Sequence, residues 1–122
     1  MKLWYSNSSP YARKARAVVQ YHQLQDHVEL LLATSGLDKN SPHNLDNPLG
    51  RLPALQRENG EWLYNSSLIA EYLDHLGTQP SLYGNSETRW EILRLHYLAD
   101  GILENEISVA PEKCLRPQEQ WW

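Results

Sequence analysis

The sequence predicts an α/β chain: a βαβ–ββα domain of the α+β sandwich type with a four-stranded mixed sheet, followed by the first helix or helices of an all-α region. Three observations predict it. Two short apolar runs flank an amphipathic helix near the N-terminus. Two further strand-like runs are joined by Arg57-Glu58-Asn59-Gly60. A helix that stops at Gly77 is followed by a polar linker and then by a long, broadly apolar helix.

Residues 2–5 are short, apolar and aromatic, and read as a strand. Residues 6–10 form a loop. Pro10 suits the first turn of a helix, where its missing N–H has no intrahelical partner to lose, and Ser8 or Ser9 can cap it. Residues 11–23 carry Ala12, Ala15, Val18, Val19 and His22 at helical spacing, with Arg13, Lys14 and Arg16 on the opposite side. Residues 27–32 read as a second strand. A crossover of that length favours a right-handed parallel pair.

Residues 34–50 are polar throughout and predict a long loop with room for a short irregular helix. Loops of that length inside a domain are often functional. Residues 52–56 and 61–64 are strand-like, and the Asn-Gly pair between them signals a hairpin. Ser66 opens a helix through Leu76, with Leu68, Ile69, Tyr72, Leu73 and Leu76 on one face, and Gly77 ends it. The domain reading is therefore 1–77, a linker over 78–86, and an all-helical segment over 87–122. Its helix starts at Ser86 or Glu87 and continues to about Ile107, after which Pro111 and Pro117 break the chain. Trp121-Trp122 at the end reads as a truncated domain, and the faces around Trp90, Leu93, Trp121 and Trp122 are expected to favour association.

The bulk properties narrow the function. A net charge of −4 over 122 residues argues against nucleic acid as the partner, since phosphate binders present a basic face. No apolar run suits a signal peptide or a membrane span. The lone cysteine, Cys114, precludes an internal disulfide and fits a reducing, cytoplasmic setting, where it reads as a partly buried, inert thiol. The histidines show no metal spacing, and the glycines form no phosphate loop.

Three motifs then stand out in order. Ser9-Pro10-Tyr11-Ala12-Arg13-Lys14-Ala15-Arg16 lies on a strand-to-helix turn. Asn47-Pro48-Leu49-Gly50-Arg51-Leu52-Pro53-Ala54-Leu55 leads into a strand. Leu63-Tyr64-Asn65-Ser66-Ser67-Leu68-Ile69-Ala70-Glu71-Tyr72-Leu73 passes from a strand into a helix. Together they resemble the glutathione transferase family, of the bacterial type with serine at the thiol site. The resemblance covers residues 1–77 well and continues more weakly to Trp122.

The resemblance implies a thioredoxin-like first domain, a helical second domain and a protein of about two hundred residues. It implies glutathione as co-substrate, a small electrophile, a homodimer and no metal. Ser9 matches the residue that acts on the thiol. Read from the residues alone Ser9 is a helix cap, and Ser8 and Tyr5 are alternates for the thiol. A cis bond at Leu52-Pro53 would turn the Leu52 backbone to the ligand. Ser66 matches the residue that meets the γ-glutamyl carboxylate, and it can also cap its helix. Asn65 stands where the family usually has an acid for the glutamyl ammonium. Glu104 is either a solvated helix charge or a residue reaching across a dimer. The readings that follow are a glutathione transferase, a non-catalytic interaction protein on the same fold, and a glutathione-dependent isomerase or dehalogenase.

Overall fold

The computed structural model describes residues 1–34 and 40–121, with the backbone alone at 110–115. The expected loop over 34–50 therefore falls partly outside the described residues, as do the side chain of Cys114 and Trp122. The chain forms two compact units, Met1–Leu82 and Tyr83–Trp122.

In the first unit the order is β1 (Lys2–Tyr5), α1 (Pro10–Tyr21), β2 (Glu29–Leu32), α2 (His43–Asp46), β3 (Ala54–Gln56), β4 (Trp62–Tyr64) and α3 (Ser66–Leu76). The strands form one mixed sheet in the order β2-β1-β3-β4. β1 and β2 are parallel, while β1–β3 and β3–β4 are antiparallel. Strand alternation separates the two faces of the sheet. Leu3 and Leu55 pair across β1 and β3 and are wholly buried with Ile69 and Leu73 of α3. Each such side chain contributes about 2–3 kcal/mol. On α1 the expected set Ala12, Ala15, Val18, Val19 and His22 is buried in full.

Several boundaries differ from the sequence reading. α1 stops at Tyr21 because Gln23 takes φ 57°, and the Gln23 and Leu24 N–H groups donate back to Gln20 and Val19. That pair of bonds is a Schellman closure, reached here without glycine. β2 begins two residues late because the His27 N–H is spent on the Leu24 carbonyl. Asn65, not Ser66, caps α3: its Oδ1 accepts the Ser67 N–H at 2.8 Å.

The buried residues of α3 are Ser66, Ser67, Ile69, Ala70, Leu73 and Asp74. Leu68 and Leu76, expected among them, are 51% and 40% exposed.

The Asn-Gly hairpin is present, with Gly60 at φ +88°, a value that side-chain-bearing residues adopt only with strain. Gly77 does end α3, but its φ is −74°, so conformational freedom is not the reason. A Cβ there would collide with the His22 ring.

That ring belongs to a buried cluster. His22 Nε2 lies 2.8 Å from Asp74 Oδ1, Ser81 Oγ donates to Oδ2 at 2.6 Å, and the Leu82 N–H donates to Oδ1 at 2.7 Å. Burial pushes the Asp74 carboxyl up. The Ser81 hydroxyl, the Leu82 N–H and the His22 ring outweigh that and hold it below the ordinary carboxylate value.

The second unit is one long helix, α4 (Arg89–Leu115), followed by a short 3-10 turn at Gln118–Gln120. It starts later than expected because Asn85 Oδ1 gathers the N–H groups of Glu87 and Thr88 into a turn ahead of the helix. It also runs through Pro111 to Leu115 rather than stopping near Ile107. An interior proline removes its own N–H from the ladder and crowds the carbonyl four residues before it, a cost of about 3 kcal/mol that does not end the helix here. Trp90, Leu95, Tyr97, Leu98 and Ile102 are exposed along it. No described helix is long and apolar enough to cross a membrane.

Asp74 gives the fold a pH signature. Its native pKa is lowered, so its contribution is complete above the ordinary carboxylate value of about 4 and is lost as pH falls through that value towards the native one. Asp74→Ala strands three partners and is expected to cost about 3 kcal/mol at pH 7. In urea denaturation the gap between wild type and variant should narrow below about pH 4. A gap that stays constant down to pH 3 would count against a charged Asp74.

Candidate functional site

Strand register brings the three motifs to one edge of the sheet. Trp4, Ala54 and Tyr64 form the last paired row across β1, β3 and β4. One residue further along each chain at this edge stand Tyr5, Pro53 and Asn65. The turn to α1 leaves from Tyr5, and α3 leaves from Asn65. The packing of α1 on α3 is parallel, because Lys14 meets Ser67 and His22 meets Asp74. Both helices thus present their N-termini, each carrying a partial positive charge of about half a unit, at the same edge.

Ser9 is the N-cap of α1, half-buried, with its Oγ accepting the Ala12 N–H at 3.1 Å. That bond uses an oxygen lone pair and leaves the hydroxyl hydrogen to donate. The cap reading of Ser9 therefore holds, and it is compatible with a second role. Ser8 is exposed and 3.5 Å from the Ser6 hydroxyl. The Tyr5 ring lies under the Arg16 guanidinium, 4.5 Å from its centroid.

The segment before β3 is shaped by two buried side chains that the sequence reading did not single out. His43 is fully buried, with Nδ1 2.7 Å from Ser41 Oγ and Nε2 3.2 Å from the Gly50 carbonyl. A carbonyl only accepts, so Nε2 carries the proton and Nδ1 accepts from Ser41. Asn47 is 1% exposed; its Nδ2 donates to the Arg51 carbonyl at 2.7 Å and its Oδ1 accepts the Leu49 N–H at 3.0 Å.

Between them the two side chains fix residues 49–51 and deliver Leu52 to the sheet edge. The Leu52-Pro53 bond is cis, as the resemblance implies. α2 is tied to the sheet from the other side: the Trp4 indole donates to Asp46 Oδ2 at 2.7 Å and the Tyr64 hydroxyl to the Asp46 carbonyl at 3.1 Å.

At the head of α3, Asn65 has φ 75° and ψ 124°, a sparsely populated conformation that costs about 1–3 kcal/mol. Such strain clusters at functional sites. Ser66, the first residue of α3, is buried at 6% exposure. Lys14, read from sequence as pointing away from the core, instead reaches α3, where its Nζ donates to Ser67 Oγ at 3.1 Å. No sequence signal separates it from Arg13; only the α1–α3 packing does. Glu104 is exposed on α4 in the other unit. Among the described residues no three His, Cys, Asp or Glu side chains converge as a metal site.

Comparison with known proteins identifies the family of the fold. A family model described as glutathione S-transferase, N-terminal domain, matches residues 8–76. The chain is 29% identical to the uncharacterized GST-like protein YibF of Escherichia coli K12, over 98% of this chain and 58% of that protein. Among solved structures, a glutathione transferase family member from Pseudomonas fluorescens Pf-5 with bound glutathione superposes with a TM-score of 0.89 at 36% identity, covering 99% of this chain and 60% of the other. A glutathione S-transferase from Methylobacillus flagellatus KT with glutathione bound gives a TM-score of 0.89 at 35% identity, covering 99% and 58%. The chain thus spans under two thirds of the length of these relatives.

The buried loop clamp is testable without any ligand. Asn47→Ala removes two hydrogen bonds made by a side chain that is 1% exposed and is expected to destabilise the first unit by about 2 kcal/mol. Amide hydrogen exchange should accelerate at Leu49 and Gly50 well beyond the change in β1. A uniform change across the unit would show that Asn47 does not hold this segment locally.

Proposed function

The chain belongs to the glutathione S-transferase N-terminal domain family, and on that premise we propose that it binds glutathione along the sheet edge and activates its thiol for attack on a small electrophile. The observation that carries the reading is the single row Tyr5, Pro53, Asn65, which gathers the Ser9 turn, the Leu52-Pro53 bond and the head of α3 at one edge. Ser9 is the catalytic residue of this reading, and Leu52, Pro53, Asn65 and Ser66 hold the tripeptide.

The chemistry asked of the site is modest. A free thiol has a pKa of about 8.5, so only a few per cent is thiolate near pH 7. A hydroxyl that donates to the sulfur favours the charged form, and so does the N-terminal end of a helix. Ser9 offers both: its oxygen is fixed by the Ala12 N–H, and it stands at the first turn of α1. The Leu52 backbone, just ahead of the cis bond and β3, would offer an N–H and a C=O to the cysteinyl unit in the manner of an added strand. The head of α3 receives the γ-glutamyl carboxylate on its first N–H groups. The reading carries with it a homodimer in a cytoplasmic setting and an electrophile site supplied largely by helical segments beyond this chain.

The full chain is expected to bind glutathione at millimolar concentration or below, followed by isothermal titration. The ultraviolet band of the bound thiolate should titrate below about 8.5, the free value. In Ser9→Ala that titration should move back up by about one unit, and turnover of an aryl halide should fall about tenfold. An unchanged thiol titration in Ser9→Ala would transfer the role to Ser8 or Tyr5. Absence of binding at millimolar glutathione would overturn the reading.

A further inference from the structure

We propose that the tip of the β3–β4 hairpin is a site of self-modification, at which Asn59 cyclises onto the Gly60 nitrogen and loses its side-chain amide, and that Glu61 holds the site closed in the folded chain. The inference is independent of the glutathione reading.

Asn59-Gly60 is the one Asn-Gly pair in the sequence, and the tip is exposed to water throughout residues 58–61. Glycine after asparagine leaves no side chain to impede the approach of its nitrogen. The Gly60 amide nitrogen, giving up its proton, attacks Asn59 Cγ. The Cγ–Nδ2 bond breaks, and Nδ2 leaves as ammonia with that proton. The five-membered imide then takes up one water and opens to aspartate, or to its isomer linked through the side chain. The reaction consumes only water, and nothing is oxidised or reduced.

The folded hairpin engages both reacting groups elsewhere. The Gly60 N–H donates to the Arg57 carbonyl at 3.0 Å, closing a four-residue turn. Asn59 Oδ1 accepts the Glu61 N–H at 3.2 Å, and Asn59 Nδ2 donates to Glu61 Oε2 at 2.8 Å. Arg57 Nη1 donates to the same carboxylate oxygen at 2.9 Å, and Gln56 Nε2 to the Gly60 carbonyl at 3.3 Å. Both ends of the Asn59 amide are thus held by residue 61, and the Gly60 nitrogen is held by residue 57. The Glu61 N–H polarises the Asn59 carbonyl and by itself favours attack. Geometry outweighs it, because the ring closes only when the Asn59–Glu61 and Gly60–Arg57 contacts open together.

The product, once formed, opposes reclosure. Aspartate at position 59 sets an anion against the Glu61 carboxylate, where Nδ2 had donated. The isomer lengthens the backbone between the strands by a methylene. β4 lies at the sheet edge and pairs with β3 alone, so this hairpin carries its whole ladder. Modification at the tip therefore loosens residues 62–64.

The test follows amide-to-acid conversion at Asn59 by peptide-mapping mass spectrometry on the full chain, incubated in native buffer and in urea. The native chain is expected to react at least about tenfold more slowly, since two turn contacts must open. Glu61→Ala should raise the native rate about fivefold, the scale of one exposed hydrogen bond. Glu61→Gln keeps an acceptor oxygen and should stay near wild type. Asn59→Asp should accelerate amide exchange at residues 62–64 and leave β1 unchanged.

No conversion at Asn59 in urea overturns the site itself. A native rate equal to that in urea overturns the claim that the hairpin holds it closed. An unchanged rate in Glu61→Ala overturns the assignment to Glu61. A rise matched by faster exchange in β1 does the same, because it marks opening of the whole unit.

Discussion

Asp74 holds a charge inside the first unit, and three donors from two segments keep it there: the His22 ring at the end of α1, and the Ser81 hydroxyl and Leu82 N–H after α3. This cluster fixes how α1 lies against α3. With Nε2 of His22 facing the carboxylate, the ring is locked, and its other edge lies against Gly77, where no side chain fits. A second tie, Lys14 to Ser67, sits eight residues earlier on α1 and seven earlier on α3. Those spans are about 12 Å and about 10.5 Å of helix. Two ties so matched hold the helices parallel and in register. The buried carboxylate at one end of the unit thereby governs which residues meet at the other.

The sheet supplies the second constraint. Because β3 runs antiparallel to both its neighbours, its first residue lies level with the last residues of β1 and β4. A proline just before β3 costs no ladder bond there. The chain leaves β1 and β4 at the same level, each time into a helix. One edge of the sheet thus collects two helix N-termini and an incoming backbone strand, all of them rich in N–H groups. That concentration of donors follows from topology before any particular side chain is considered.

Much of this was legible in the sequence, for identifiable reasons. β1 and α3 fall on the expected residues, because Pro10, Gly60 and Gly77 punctuate the elements around them. Pro53 and Asn65 directly adjoin the paired row of Ala54 and Tyr64 in the chain, with Leu52 and Ser66 one residue further. What escaped depends on tertiary contact. α1 closes on Gln23, which carries no stop signal. The core face of α3 is chosen by the sheet and the α1 surface it meets, which bury Ala70 and leave Leu68 exposed. His43 and Asn47 read as ordinary polar loop residues; only burial shows that they shape residues 49–51 from within. Lys14 differs from Arg13 only in the direction that α1 packing gives it.

Register also sets a length. Taking the Lys14–Ser67 contact as the level of the two helices, α3 begins about opposite Arg13, four residues into α1 from the Ser9 cap. At 1.5 Å per residue that is an axial offset of about 6 Å, or about two residues of extended chain. On the reading proposed above, sulfur meets Ser9 and the glutamyl carboxylate meets Ser66, so the ligand must bridge that offset with its γ-linked arm. A γ-linkage inserts more backbone between cysteinyl sulfur and terminal carboxylate than an ordinary peptide bond does. The parallel packing of α1 on α3 is therefore a ruler, calibrated by the His22–Asp74 contact. A slip of one helical turn along that interface would change the offset by about 5.4 Å, enough to disengage one end of the tripeptide while leaving every site residue intact.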